Sequence, residues 1–219
     1  MWIKICGVRD LSVAEEIANV GPDAIGLNFH PPSKRYVDPG LAKEIVAMLP
    51  DEIRPVGVFV NRTVSEIESI CGQTGLKTVQ LHGDETPEFA ANLQGFDIIR
   101  AFRIGSGESL RSVAQELQAF ADLGVRLIGC LVDAHVDGEY GGTGKTAPWK
   151  RLAQEWKSTT WPPLFLAGGL NPNNVAVAIQ TVRPAGVDVA SGVESAPGIQ
   201  DPQRIRKFVE SARQVSSAR

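Results

Sequence analysis

Trp2-Ile3-Lys4-Ile5-Cys6-Gly7 reads as a strand that ends in a reactive atom. On a period of two, Ile3 and Ile5 share one face while Trp2, Lys4 and Cys6 share the other. Gly7 lets the backbone turn away, and Val8-Arg9-Asp10 leads into the helical spacing of Val13, Ile17 and Val20. A thiol at the exit of a first strand, just before a helix, is where an α/β enzyme can put a catalytic group. The bland alternative for a lone cysteine is a small buried hydrophobe.

The same strand-then-helix unit recurs along the chain. Asp23 to Phe29 is a second apolar run, closing in the polar, proline-rich loop His30 to Val37. Asp38-Pro39 then supplies an N-cap and a proline at N1 for a helix carrying Leu41, Ile45, Val46 and Leu49. Arg54 to Asn61 is a β-branched strand, and Thr63 caps the helix of Ile67, Ile70 and Cys71. Lys77 to Gly83 is the fourth strand, with a helix from Thr86-Pro87, and Asp97 to Phe102 is the fifth, with Leu110, Val113, Leu117 and Phe120 as its helix. Arg126 to Asp133 is the sixth, apolar until it ends in a carboxylate, and a glycine-rich loop from Ala134 to Lys145 delays its helix. Pro163 to Ala167 and Gly186 to Ala190 complete the strands, with helices opening at Asn171-Pro172 and Asp201-Pro202. Eight such cycles in 219 residues predict α/β architecture as a single (β/α)8 TIM barrel over 1–219, with 214–219 a small, polar tail that frays.

Regular β/α spacing also fits an open, doubly wound sheet, and the polar strand residues separate the two. Lys4, Gln80 and Asp188 fall at interior phase, where a barrel lets polar groups pair with one another. The first and eighth strands are neighbours only if the sheet closes, so Lys4 and Asp188 are expected to form an ion pair inside it. No G-x-G-x-x-G follows the first strand.

Lys and Arg number 22 against 25 Asp and Glu, well mixed, so no basic stripe invites nucleic acid. Three scattered cysteines, Cys6, Cys71 and Cys130, form no C-x-x-C pair, which speaks against zinc and against a disulfide framework. No apolar run reaches the length of a membrane span, and no secretory pattern opens the chain. The expectation is a cytoplasmic monomer or homodimer, without a metal, acting on a small molecule.

In a barrel of this kind the strand C-termini form the catalytic face, which collects Cys6, Arg35, Asn61, His82, Asp133, the sixth-loop glycines, Gly168-Gly169 and Ser191-Gly192. Glycine-rich exits from the seventh and eighth strands leave backbone N–H groups near helix N-termini, the phosphate site typical of this fold; the alternative is a pair of tight turns. Gly144-Lys145-Thr146 superficially ends a Walker A motif, but Glu139 stands where its first glycine is required. Arg35 is a carboxylate receptor or a solvated loop cation, and His82 a structural hydrogen-bonder before it is a proton carrier.

Lys4-Ile5-Cys6-Gly7, Ser33-Lys34-Arg35-Tyr36-Val37, Val79-Gln80-Leu81-His82-Gly83, Asp133 with Gly141-Gly142-Thr143-Gly144-Lys145-Thr146, Ala167-Gly168-Gly169-Leu170 and Ala190-Ser191-Gly192-Val193-Glu194 together resemble the phosphoribosylanthranilate isomerase family. The resemblance implies a cofactor-free Amadori rearrangement of a phosphosugar, with Cys6 as general base and Asp133 as general acid. It gives Arg35 the anthranilate carboxylate and makes Gly168, Gly169, Ser191 and Gly192 a phosphate cup, with His82 and Gly142 beside the substrate. Asn28 and His30, where bulkier or aromatic residues are common, and Ala147-Pro148 before Trp149 depart from the family pattern. The physical reading adds that Lys4, one pleat below Cys6, is expected to lower the thiol pKa.

Overall fold

Eight parallel strands close on one another in chain order in the structure, a computed structural model that describes residues 1–105, 110–134 and 148–217. They are β1 (Trp2–Cys6), β2 (Ala24–Asn28), β3 (Arg54–Phe59), β4 (Thr78–Leu81), β5 (Asp97–Ile104), β6 (Leu127–Ala134), β7 (Leu164–Leu166) and β8 (Gly186–Val189). Each is followed by a helix: α1 (Leu11–Val20), α2 (Pro39–Met48), α3 (Val64–Thr74), α4 (Pro87–Ala91), α5 (Arg111–Asp122), α6 (Trp149–Glu155), α7 (Val175–Val182) and α8 (Pro202–Ser217). The single-domain (β/α)8 barrel is therefore the observed fold.

Closure is visible in the register. Lys4 of β1 lies directly opposite Asp188 of β8, so the two ends of the chain are joined strand to strand. Strand residues of one phase, including Ile3, Ile5, Ile25, Leu27, Val187 and Val189, bury outward against the helices. Those of the other phase, Ala24, Val56, Ile99, Ala101, Leu131, Phe165 and Ala167, fill the barrel interior. Trp2 stacks on Phe165 with ring centroids 4.2 Å apart and stops the N-terminal end of that interior. Toward the other end the filling turns polar: Lys4, Gln80 and Asp188 are all buried.

Local signals place the helices. Asp10 accepts from the Val13 N–H, Asp38 from Gly40 ahead of Pro39, and Thr63 and Glu66 form a reciprocal capping box. Two differences from the sequence reading matter. The segment after β8 is not a plain exit loop: a 3-10 turn (Ser191–Val193) leads into an antiparallel hairpin, β9 (Glu194–Ala196) and β10 (Ile199–Gln200). At the C-terminus α8 continues to Ser217, into the segment expected to fray, because Val215 extends the Phe208, Val209, Ala212 stripe against the core.

Candidate active site

Each side chain is placed by the end of a strand. Gly7 has a φ of +82°, a left-handed turn straight after Cys6, and a Cβ there would sit 2.6 Å from the Arg35 Cδ. A side chain at this position would thus oppose both the turn and the passage of Arg35 over the mouth. The Cys6 carbonyl accepts from Gln200 Nε2 at 3.1 Å, which ties the end of β1 to the β9–β10 hairpin. Cys6, Arg35, His82, Asp133, Asp188, Ser191 and Glu194 line one cavity of about 620 Å³, also bordered by Asn28 and His30. The thiol and the Asp133 carboxylate reach that cavity from β1 and β6, strands that do not neighbour each other in the barrel.

Beneath the thiol lies an ion pair. Lys4 Nζ is 2.6 Å from Asp188 Oδ1, and the lysine is fully buried. Burial alone would push the Lys4 ammonium down, but the Asp188 and Cys6 side chains more than offset it, and its pKa is raised. The Cys6 thiol moves the other way from the expectation. Burial pushes it up, and although Lys4 and Arg35 pull it down, the Asp188 carboxylate adds to the rise. An ammonium already neutralised by a carboxylate is a weak stabiliser of a second anion, so the free thiol is protonated at neutral pH.

His82 stands next to the carboxylate. Its Nε2 is 3.7 Å from Asp133 Oδ2, and its Nδ1 is 2.8 Å from the Gln80 amide nitrogen. Burial, with the charges of Lys4, Arg103 and Arg100, drives the imidazole pKa down to about 3, so the ring is neutral.

Arg35 arrives from the loop after β2, whose shape is internal. Asn28 donates to the Ser33 hydroxyl and accepts from the His30 N–H, and the same hydroxyl accepts from the Arg35 N–H. The Arg35 guanidinium already holds a carboxylate: its Nε and Nη2 donate to the two oxygens of Glu194 at 2.5 and 2.8 Å. Nη1 has no hydrogen-bond partner among the described residues, leaving the Nη1–Nη2 edge for a second anion. The glycine exits pack together. Gly168 and Gly169 are left-handed, at φ +79° and +64°, and a Cβ on Gly192 would fall 1.8 Å from the Leu170 carbonyl oxygen. The leading N–H groups of the 3-10 turn have no partner within it. Ser191 lines the cavity, whereas Gly168, Gly169 and Gly192 are part-exposed and are not among its lining residues. Gly142 lies outside the described residues.

The contacts of Glu194 with Arg35, of Gln200 with the Cys6 carbonyl and of Gln80 with His82 were not found from the sequence. A buried carboxylate for Arg35 is demanded by charge balance, but the pair spans 159 positions, and nothing local points to it. Glu85, just past the end of β4, is buried and accepts from the N–H groups of Asn61 and Gly83.

Comparison with known proteins is consistent across sequence and structure. A family model described as N-(5'-phosphoribosyl)anthranilate isomerase matches residues 3–211. A relative from Chlorobaculum parvum, named N-(5'-phosphoribosyl)anthranilate isomerase, is 43% identical, with 97% of this chain and 95% of that protein covered. The crystal structure of phosphoribosyl anthranilate isomerase from Thermotoga maritima superposes with a TM-score of 0.85 at 35% identity, covering 98% of this chain and 99% of that one. A second crystal structure, of a phosphoribosyl anthranilate isomerase in complex with reduced 1-(o-carboxyphenylamino)-1-deoxyribulose 5-phosphate, gives a TM-score of 0.81 at 33% identity over 98% of this chain and 99% of that one.

Proposed function

The chain belongs to the N-(5'-phosphoribosyl)anthranilate isomerase family, and from that premise we propose how its own residues divide the work. The activity is the isomerisation of tryptophan biosynthesis, from N-(5-phosphoribosyl)anthranilate to 1-(2-carboxyphenylamino)-1-deoxyribulose 5-phosphate. Asp133 is the acid: it gives its proton to the ribose ring oxygen, the C1' carbon–oxygen bond breaks, and the nitrogen lone pair forms the Schiff base. Cys6 is the base that takes the now acidified C2' proton, giving the enolamine that relaxes to the ketose. One observation carries the assignment: a thiol and a carboxylate from non-neighbouring strands border a single cavity of about 620 Å³. Because Cys6 is protonated in the free protein, the thiolate must form as the iminium brings positive charge into the site.

The phosphate is assigned to the Gly168-Gly169 and Ser191-Gly192 exits, and the anthranilate carboxylate to the free edge of Arg35. His82 is placed beside the acid. No helix among the described residues is long and apolar enough to cross a membrane. Three free cysteines, one of them the proposed base, support a reducing, cytoplasmic setting for a monomer or homodimer.

Arg35→Lys tests the carboxylate assignment. Lysine cannot grip Glu194 and a substrate carboxylate with two edges of one plane, so KM is expected to rise by about tenfold or more with a smaller change in kcat. The assay is steady-state turnover of freshly generated phosphoribosylanthranilate, followed by its fluorescence. An unchanged KM in a folded variant would leave Arg35 as a structural partner of Glu194.

A further inference from the structure

Two polar atoms in the upper barrel are buried without a hydrogen-bond partner among the described residues, Gln80 Oε1 and His82 Nε2. They belong to adjacent side chains, and the contact between those chains determines what the second atom is. The Gln80 amide nitrogen can only donate, so at 2.8 Å from Nδ1 it makes Nδ1 the acceptor and leaves the ring proton on Nε2. Asp133 Oδ2 lies 3.7 Å from that nitrogen. The Nε2 atom is closed off from solvent, so it addresses the carboxylate and not bulk water. A distance of 3.7 Å is too long for a hydrogen bond, and short enough for one to form when the carboxyl group gains charge.

We propose that Gln80 and His82 are positioning residues for the acid: the Gln80 amide fixes the imidazole as its Nε2–H tautomer, and that N–H stabilises the Asp133 carboxylate as its proton passes to the ribose ring oxygen. The proposal rests on the reading of Asp133 as the acid. No proton is transferred by His82. Asp133 loses one proton to the substrate oxygen, the negative charge stays on the carboxylate, and the imidazole N–H turns toward it. A neutral donor is what this task needs, since an imidazolium would favour the carboxylate before reaction as well as after it and so make the acid reluctant to stay protonated. The surroundings keep the ring neutral: Lys4 from β1 and Arg100 and Arg103 from β5 all oppose a second cation, in addition to its burial. Among the described residues, Asp188, Glu85, Asp84 and Glu194 pair with Lys4, Arg100, Arg103 and Arg35 respectively. His82 Nε2 stands 3.7 Å from Asp133, the carboxylate that the reaction changes.

The experiment combines the ring spectrum with kinetics on the whole chain. The chain has three histidines, so the two-bond 15N–1H correlations of His82 can be assigned by their loss in His82→Gln. The expected wild-type spectrum is a neutral Nε2–H ring that does not titrate through the ordinary imidazole range, and a Nδ1–H ring would overturn the proposal. His82→Leu is expected to lower kcat about 10- to 100-fold with little change in KM, and to move the break in the kcat/KM profile that belongs to Asp133 up by about one pH unit, because the carboxylate has lost a donor. His82→Gln, whose amide nitrogen can stand near the Nε2 position, should restore most of that loss. Gln80→Leu should mix the tautomers and lower kcat in the same direction, which keeps the proposal testable if His82→Leu does not fold. Full turnover in His82→Leu beside an inactive Asp133→Asn would refute the proposal and leave the acid assignment standing. Turnover in Asp133→Asn would overturn that assignment first.

Discussion

Cys6→Ala and Asp133→Asn are each expected to lower kcat by at least ~10²-fold while KM changes far less. Both side chains border the cavity, and Asn keeps the shape of Asp while losing the transferable proton. A group that acts only as the proton moves contributes to the transition state and little to ground-state binding, which is why the loss falls on kcat. The buried thiol adds a pH signature. Since the Cys6 pKa of the free protein lies above its ordinary value of 9.0, kcat/KM limited by proton abstraction should climb through the neutral range in the wild type, and this slope should vanish in Cys6→Ala. Steady-state kinetics across pH decides it: near-normal kcat in either variant removes that residue from the mechanism.

The barrel was legible because a buried charge cannot be hidden in a pattern. Lys4 at interior phase on β1 required a partner, Asp188 at interior phase on β8 was available, and the two meet only when the sheet closes. Asp38-Pro39 and the Thr63-Glu66 box were equally readable, since caps are chemistry between residues a few positions apart. The grip of Glu194 on Arg35 was not readable. It depends on a short hairpin, Glu194–Gln200, whose strands are too short to show alternation and whose position follows from where β8 ends. The direction of the Cys6 shift was misread for a related reason. Lys4 is where the pattern puts it, but whether its charge or the burial of sulfur wins depends on how deep the thiol sits and on Asp188 sharing the ammonium.

The same ion pair bears on pH stability. Cys6 and Lys4 both have folded-state pKa values raised above their ordinary 9.0 and 10.5. A raised value means that the folded chain holds its proton more tightly than the unfolded one, so this contribution is complete below the ordinary pKa and is lost as pH rises through the folded one. The fold should therefore weaken in alkali from about pH 9 upward, first through Cys6 and then through Lys4.

Asp188→Ala is expected to be the most destabilising single change in the barrel interior, costing about 3–5 kcal/mol and lowering Tm by roughly 6–20 °C for a chain of this size. The two halves of the pair are not equivalent. Lys4 is fully buried, whereas Asp188 borders the active-site cavity and retains some access to water. Removing the carboxylate strands a fully buried ammonium beside Cys6, and it must then give up its proton or draw water into the barrel. Removing the cation by Lys4→Met leaves a carboxylate that the cavity can hydrate, so its cost should be smaller. The double replacement Lys4→Met with Asp188→Leu removes both charges, and should recover much of the loss, because a well-filled apolar pair escapes both desolvation penalties. Thermal and denaturant unfolding of the three variants measures the ordering. If Asp188→Ala melts within about 2 °C of the wild type, or if the double variant is less stable than Asp188→Ala, the ion pair is not what holds the closing seam between β1 and β8.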